Sequence, residues 1–249
     1  MSARLTIIGS GDAFGAGGRM QSCCLIEHGG QGVLLDCGAT SLVALKRQGV
    51  SLLAFDTVLI THLHGDHFGG LPFLLIDWIY VSKRVAPVVI AGPPGIEARF
   101  WAACETLYPI ISQAPRRFEM LFLEIAPGER ATVSGMAVQA FEMKHFSGAP
   151  SLAYRMTMDE IVFAFTGDSG WCDAVTQAGQ GADLYLMECY QYDLVLDMHL
   201  DFQTIHSRRD SLGAKRIMLT HMSEAMLARA DEARALGYLL AEDGLVIDI

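Results

Sequence analysis

The densest chemistry in the chain lies in Thr61-His-Leu-His-Gly-Asp-His67, where three of the eight histidines and a carboxylate fall within six positions. His62 and His64 are one residue apart, so an extended or loop backbone turns both imidazoles to one side. Gly65 is expected to permit a sharp turn that brings Asp66 and His67 back to the same point. Neutral imidazole and carboxylate are the ligands of Zn²⁺, Mn²⁺ or Fe. Three further residues each close an apolar run: His145 in MKHFSG, Asp168 in FTGDSG and His221 in MLTHMS. Taken singly, each is a weak sign, since a lone His is more often structural than ligating.

These groups need a scaffold that delivers them to one place. RLTIIG and SCCLIEH read as strands closed by glycine turns, and GVLLD ends at Asp36. Thr40 to Gln48 reads as a helix stopped by Gly49. TVLIT, residues 57–61, is a continuous apolar strand of the kind buried on both faces, and HLHGDHFGG follows it as a loop. Leu71 to Ser82 reads as a buried helix with Pro72 in its first turn. Pro87 to Ala91 is a strand, and Pro93-Pro94-Gly95 opens a helix through Leu107. From Phe118 to Phe165 the pattern is one of short strands. After Asp168 come a helix, the strand ADLYLME, a helix over 202–212, the strand RIMLTH, a helix over 223–236 and a last strand, LVIDI. Two blocks of strands with helices outside each imply an α/β fold, a four-layer αββα sandwich, as a single domain over residues 1–249.

HxHxDH is the hallmark of the metallo-β-lactamase superfamily, which this sequence resembles over nearly its whole length. The superfamily's other motifs match in order: Asp36 in LLDCG, then His145, Asp168 and His221. The resemblance implies two divalent metal ions, with Zn²⁺ the leading occupant and Mn²⁺ or Fe compatible. His62, His64 and His145 would hold one ion, Asp66, His67 and His221 the other, and Asp168 would bridge both. Two such ions outweigh two carboxylates and a hydroxide, which suits an anionic or carbonyl substrate. They would lower the pKa of a bound water toward about 7, so hydroxide serves as nucleophile. Asp36 would fix the tautomer of a ligand imidazole.

The surrounding residues resemble the ribonuclease Z and small-phosphodiesterase branch. Pro150-Ser-Leu-Ala-Tyr-Arg155 is similar to the strand after the branch's single His, and Glu188 and His199 to its proton-donating pair. The implied catalytic set is Asp66, Glu188 and His199, with the carboxylate raising the imidazole pKa so that a proton is held for the leaving oxygen. Asp201 is placed to cap the next helix. Against tRNA maturation, only residues 146–167 separate His145 from Asp168, leaving no room for the long tRNA-gripping arm of ribonuclease Z. HLDF also stands where that enzyme has HST. A small anionic phosphodiester, cyclic or nucleotide-like, is therefore the expected substrate, with a ribonuclease Z-like RNA endonuclease as the alternative. An ester, thioester or lactam hydrolase fits less well, because 28 residues with one helix follow His221. A non-catalytic metal-bound interaction module would be expected to lose ligands, and all seven are present.

Composition agrees. Lys and Arg total 18 against 28 acids, a net charge of -10, which repels long nucleic acid without excluding a small anion. No stretch is long and apolar enough to cross a membrane, and MSARLTIIGSGD lacks the pattern of a secretory signal, so the cytoplasm is the expected location. Six scattered cysteines are expected to be buried thiols. A homodimer is open. The loop from Gly9 to Arg19 lacks GxxxxGK and reads either as the mouth of the site, lined by its amides and Arg19, or as a tight turn. Asp12 reads as supporting the site or as turn chemistry, and His28 and His206 as structural or surface groups. Trp78, Trp101 and Tyr80 sit at helical spacing and are expected in the core.

Overall fold

The computed structural model describes residues 2–249. In the first half, three strands form a meander: β1 (Arg4–Gly9), β2 (Cys23–His28) and β3 (Gln31–Leu35). The chain continues through α1 (Ser41–Arg47), β4 (Thr57–Leu59), α2 (Gly65–Phe68), α3 (Leu71–Tyr80), β5 (Val88–Gly92), α4 (Ile96–Leu107) and β6 (Met120–Glu124). The second half runs β7 (Arg130–Val133), β8 (Met136–Met143), β9 (Ser151–Met158), β10 (Ile161–Phe165), α5 (Asp173–Gly179) and β11 (Leu184–Glu188). It ends with α6 (Phe202–Ser207), α7 (Arg209–Leu212), β12 (Ile217–Thr220), α8 (Glu224–Leu227), α9 (Ala230–Ala235), β13 (Leu239–Leu240) and β14 (Val246–Asp248).

Two seven-stranded sheets result, ordered β14-β1-β2-β3-β4-β5-β6 and β13-β12-β11-β10-β9-β8-β7. Each is antiparallel on one side and parallel on the other, the parallel runs being β3 to β6 and β10 to β13. The alternation of side chains along the strands sorts them into three apolar layers. Leu5 and Ile7, Leu59, Tyr154 and Met156, Phe163 and Phe165, Leu184 and Leu186 meet between the sheets. Val58 and Ile60 point the other way, onto Leu74, Trp78 and Phe100 of the helices outside the first sheet. Ala164, Tyr185 and Met187 pack outward with Val175, Phe202 and Ile205. Three layers between four ranks of elements make the αββα sandwich, as the strand and helix pattern requires.

Local differences have identifiable causes. The HLHGDHFGG segment is not all loop. Residues 65–68 form a helical turn, and Gly65 begins it without a positive φ, so no sharp turn is built on that glycine. The tight backbone approach lies elsewhere. A Cβ on Gly38 would stand 2.2 Å from the carbonyl oxygen of Asp66, and one on Gly70 2.3 Å from that of Gly38. The helix expected over 202–212 is broken at Arg208, which stacks on Trp171 at 4.8 Å. The one over 223–236 is broken near Arg229, which lies 4.0 Å over Tyr192. Trp78 is fully buried and Trp101 half-buried, but Tyr80 is 57% exposed at the end of α3, so it does not belong to the core. All six cysteines are free thiols, and burial pushes those of Cys23 and Cys104 up to about 12. No helix of the described residues is long and apolar enough to cross a membrane.

Candidate metal centre

All the candidate groups emerge from one end of the sandwich, where the parallel strands end. Asp36 follows β3 and His62 follows β4, its neighbour. Asp168, Glu188 and His221 follow or end β10, β11 and β12, which are adjacent and parallel. His145 lies just beyond β8, and His199 sits in the segment between β11 and α6. Parallel neighbours release their carboxyl ends on the same side, so residues far apart in sequence converge there.

Two clusters form around Asp168. His62, His64 and His145 make the first, with ring centroids 4.8–5.0 Å apart and His145 Nε2 3.0 Å from His64 Nδ1. Asp66, His67, Asp168 and His221 make the second. There His221 Nε2 lies 3.1 Å from Asp66 Oδ2 and 3.4 Å from His67 Nε2, while His67 Nε2 lies 3.2 Å from Asp168 Oδ1. Asp168 Oδ2 is 3.9 Å from both His62 Nε2 and His145 Nε2 and 3.5 Å from His221 Nε2, so this one carboxylate reaches both clusters. In each cluster, one ligand atom per residue falls within 4.8 Å of every other.

The chemistry of this donor set fits divalent cations. His62 Nε2 and Asp168 Oδ1 are buried and lack an aligned hydrogen-bond partner, a condition that buried polar atoms avoid unless something else meets them. Three of the imidazoles have Nδ1 occupied by the protein, which leaves Nε2 facing the cluster. His67 Nδ1 donates to Asp36 Oδ2 at 2.7 Å, His145 Nδ1 donates to the Met198 carbonyl at 2.9 Å, and His62 Nδ1 lies 3.0 Å from Thr61 Oγ1. That is how proteins orient metal-ligating histidines. Asp36 is itself fully buried and accepts from the Thr61 amide at 2.8 Å and from Thr61 Oγ1 at 3.0 Å.

The field of the site is consistent with this. Burial, then the neighbouring His67, holds His62 well below the ordinary imidazole value, and burial also lowers His145; both are neutral, as a ligand must be. Burial opposes charge on His67 and His221 too, but Asp168 and Asp36 together outweigh it at His67, and Asp168, Asp66 and Glu188 together do so at His221, which is raised to about 9. Burial alone would raise Asp66 and Asp168. Hydrogen bonds from His221 and His67 hold Asp66 well below the carboxylate range, and the charges of His221 and His67 do the same for Asp168. The two carboxylates thus keep protons on the facing rings, in the place where they would attract a cation.

Beside the second cluster, His199 Nδ1 donates a hydrogen bond to Glu188 Oε1. Glu188 is fully buried, and its other oxygen accepts from the amides of Ser169 at 2.8 Å and Leu200 at 3.3 Å. Burial, then Asp168, raises the Glu188 carboxyl, while Glu188 and Asp168 together overcome burial to raise His199. Both directions agree that the pair retains a proton. Asp201 Oδ1 caps α6 by accepting from the Thr204 amide at 2.8 Å.

The groups open into a cavity of about 280 Å³ lined by Ala13, Phe14, His64, Asp66, His145, Asp168, Tyr190, Met198, His199 and His221. The loop from Gly9 to Arg19 therefore does reach the mouth, but through Ala13 and Phe14. Arg19 turns away, its Nη1 donating to the Ala241 carbonyl at 2.6 Å. Asp12 does turn chemistry, accepting from the amides of Phe14 and Ala16 at 3.2 and 2.9 Å. His28 and His206 lie outside the cavity, beside Asp159 and Tyr238. Sequence reasoning passed over Thr61, Phe14, Tyr190 and Met198. A polar residue at the strand end before HLH was a usable sign for Thr61, whereas no spacing marks the other three.

Known proteins show the same arrangement of chain. A ribonuclease Z of Lachnoclostridium phytofermentans is 33% identical over 129 residues, covering 51% of this chain and 40% of that protein. The short form of human tRNase Z superposes with a TM-score of 0.76 at 26% identity, over 98% of both chains. A diphosphatase of the PhnP family shares the fold, with a TM-score of 0.78 at 20% identity over 99% of this chain and 98% of the other. The family model described as "Anti-Pycsar protein Apyc1" matches residues 3–243. With that match spanning nearly its whole length, the chain belongs to the Anti-Pycsar protein Apyc1 family, a metallo-hydrolase of the metallo-β-lactamase superfamily near ribonuclease Z.

Proposed function

We propose that the protein is a dinuclear phosphodiesterase acting on small phosphodiesters, cyclic or nucleotide-like, as a single domain over residues 1–249 in the cytoplasm. The observation that carries this reading is the Glu188–His199 pair beside the carboxylate that reaches both histidine clusters. His62, His64 and His145 would hold one cation, Asp66, His67 and His221 the second, with Asp168 between them. When bound, two such ions, Zn²⁺ first and Mn²⁺ or Fe compatible, supply Lewis acidity toward a phosphoryl oxygen and a water that ionises near neutral pH.

The chain's own groups divide the remaining work. Asp36 holds the His67 proton on Nδ1, so Nε2 keeps its lone pair for the centre. The Met198 carbonyl does the same for His145. Glu188 holds His199 by Nδ1, which leaves Nε2 as the atom that delivers a proton to the departing oxygen. Phosphodiesters need such a donor because their leaving alkoxide is strongly basic.

Small size of the substrate is supported by three features. The cavity of about 280 Å³ is at the small end of ligand sites, which run roughly 300–1,000 Å³. β9 and β10, with the turn at Asp159 and Glu160, occupy residues 151–165 of the segment 146–167 between His145 and Asp168, which leaves no room for a long arm. The net charge of -10 disfavours a long polyanion. Likeness to ribonuclease Z favours a second reading, cleavage of RNA. Metal-loaded protein assayed on bis-p-nitrophenyl phosphate, cyclic mononucleotides and a precursor tRNA separates the two. Turnover of the small diesters and not of the tRNA is expected, and turnover of the tRNA alone would reverse the assignment. Activity on nitrocefin or an acyl-CoA, with none on any diester, would move the enzyme to acyl hydrolysis.

A further inference from the structure

Three segments of chain that are distant in sequence cross at one point beside the metal centre. Gly170 packs so closely on residues 197–198 that a Cβ on it would stand 2.0 Å from the Asp197 carbonyl oxygen and 3.3 Å from the Met198 amide nitrogen. The Gly170 amide in turn donates to the Lys144 carbonyl at 3.0 Å, and the Lys144 amide donates to Ser169 Oγ at 3.1 Å. Lys144 Nζ then reaches Asp197 Oδ1, which closes the ring of contacts. Each segment carries working groups within two residues of the crossing: Asp168 before Ser169, His145 after Lys144, and Met198 and His199 after Asp197.

The three segments are not equally supported. Residues 168–170 are tied to the end of β11 by the Ser169 amide on Glu188, and Lys144 directly continues β8. The segment 193–199 is irregular and largely exposed, and among the described residues it forms no backbone–backbone hydrogen bond. It is closed at its base, where the Tyr190 amide donates to the Leu200 carbonyl at 2.9 Å. Beyond that base its hydrogen bonds are those of Lys144 to Asp197, His145 to the Met198 carbonyl, and His199 to Glu188. The Gly170 backbone lies outside the left-handed region, so what requires glycine there is the approach of 197–198 and not its own conformation. A side chain at 170 would be relieved by moving the least supported partner, the segment that carries His199.

Building on the phosphodiesterase reading, we propose that Gly170 and Lys144 are positioning residues for the segment 197–199, the glycine by its lack of a side chain and the lysine by its ion pair. This one crossing then sets both the Met198 carbonyl that orients His145 and the ring of His199 that delivers the proton. A misplacement of about 1 Å at such groups can cost roughly 10²-fold in rate.

Two substrates separate this from a general loss of structure. Cleavage of a cyclic mononucleotide breaks a P–O bond to an alkoxide that takes up a proton as it leaves, whereas bis-p-nitrophenyl phosphate releases a weakly basic nitrophenolate that needs none. In Gly170→Ala, kcat is expected to fall about 10²-fold on the cyclic nucleotide and only about tenfold on the nitrophenyl diester. Independently of turnover, chelator competition on the metal-loaded variant should show the ion at His62, His64 and His145 weakened about tenfold and the other ion unchanged. In Lys144→Met, an exposed change, both shifts should appear in the same direction at about two- to fivefold. Should Gly170→Ala fail to fold by circular dichroism, Lys144→Met decides alone. Proportional losses on both substrates, equal weakening at both ions, or a Lys144→Met enzyme with the wild-type substrate ratio and metal affinity would overturn the proposal. Selective weakening of the first ion in a protein that cleaves no phosphodiester would instead refute the activity and leave the positioning of Met198 standing.

Discussion

From the first sheet the centre draws His62, His64, Asp66 and His67, all within the six-residue span 62–67 beyond β4, whereas the second sheet supplies its groups one at a time. His145, Asp168, Glu188 and His221 come from the ends of β8, β10, β11 and β12, and His199 from the segment that follows β11. The first set is held by local means: one strand end, one helical turn, and the buried carboxylate of Asp36 against His67 and Thr61. In the second set Asp168, Glu188 and His221 meet because the adjacent parallel strands β10, β11 and β12 release their ends together, and β8, which like β10 runs antiparallel to β9, delivers His145 to the same side. Yet the second sheet provides the one carboxylate that joins both clusters and the pair that retains a proton. A contiguous motif thus supplies four of the seven candidate donors, and the dispersed groups complete both clusters.

Removing Asp168 puts this division to its hardest test. Asp168→Ala is expected to lose both ions, with affinity falling by more than the 10–100-fold typical of supporting residues around a metal, while His64→Ala should lose one ion and keep the other. Metal content by mass spectrometry after dialysis distinguishes them, and retention of two ions by Asp168→Ala would break the contrast. Next in size is His199→Ala, expected to lower kcat on phosphodiesters by about 10²–10⁴-fold with two ions still bound. A parallel loss of metal would make His199 part of the donor set; its ring does lie with Asp168, Glu188 and His221 in a third possible grouping.

Local support in the first sheet is sharpened by Asp36→Asn, which should weaken metal binding about 10–100-fold and first at the ion that His67 holds. Competition with a coloured chelator measures that order, and equal weakening at both ions would show that Asp36 supports the whole centre. Smallest is Gly38→Ala. Its methyl group would meet the Asp66 carbonyl, and relief of that overlap should cost about 1–3 kcal/mol, lowering Tm by roughly 2–4 °C for each kcal/mol in a thermal scan of the metal-free protein.

Much of the site was legible before the fold was known, because HLHGDH concentrates ligand-type residues and because His145, Asp168 and His221 each end an apolar strand. Glu188 and His199 were recognisable through a family resemblance, and no rule of spacing joins residues eleven apart through one hydrogen bond. The glycine reasoning failed at Gly65, where the chain is helical, since sequence does not reveal which backbone will pass close to another; that role fell to Gly38 and Gly70. Tyr80 was misplaced for a similar reason, as helical spacing marks a face of α3 but not where the neighbouring elements stop covering it.

The sequence alone determined the αββα order of elements and which residue types could bind metal, since strand alternation and donor chemistry are local properties. Tertiary structure decided that Asp168 reaches both clusters, that Met198 orients His145 through its carbonyl, and that Phe14 rather than Arg19 stands at the mouth. Those outcomes depend on distances between segments up to about two hundred residues apart, set by how the two sheets pack, and no local pattern encodes a distance of that kind.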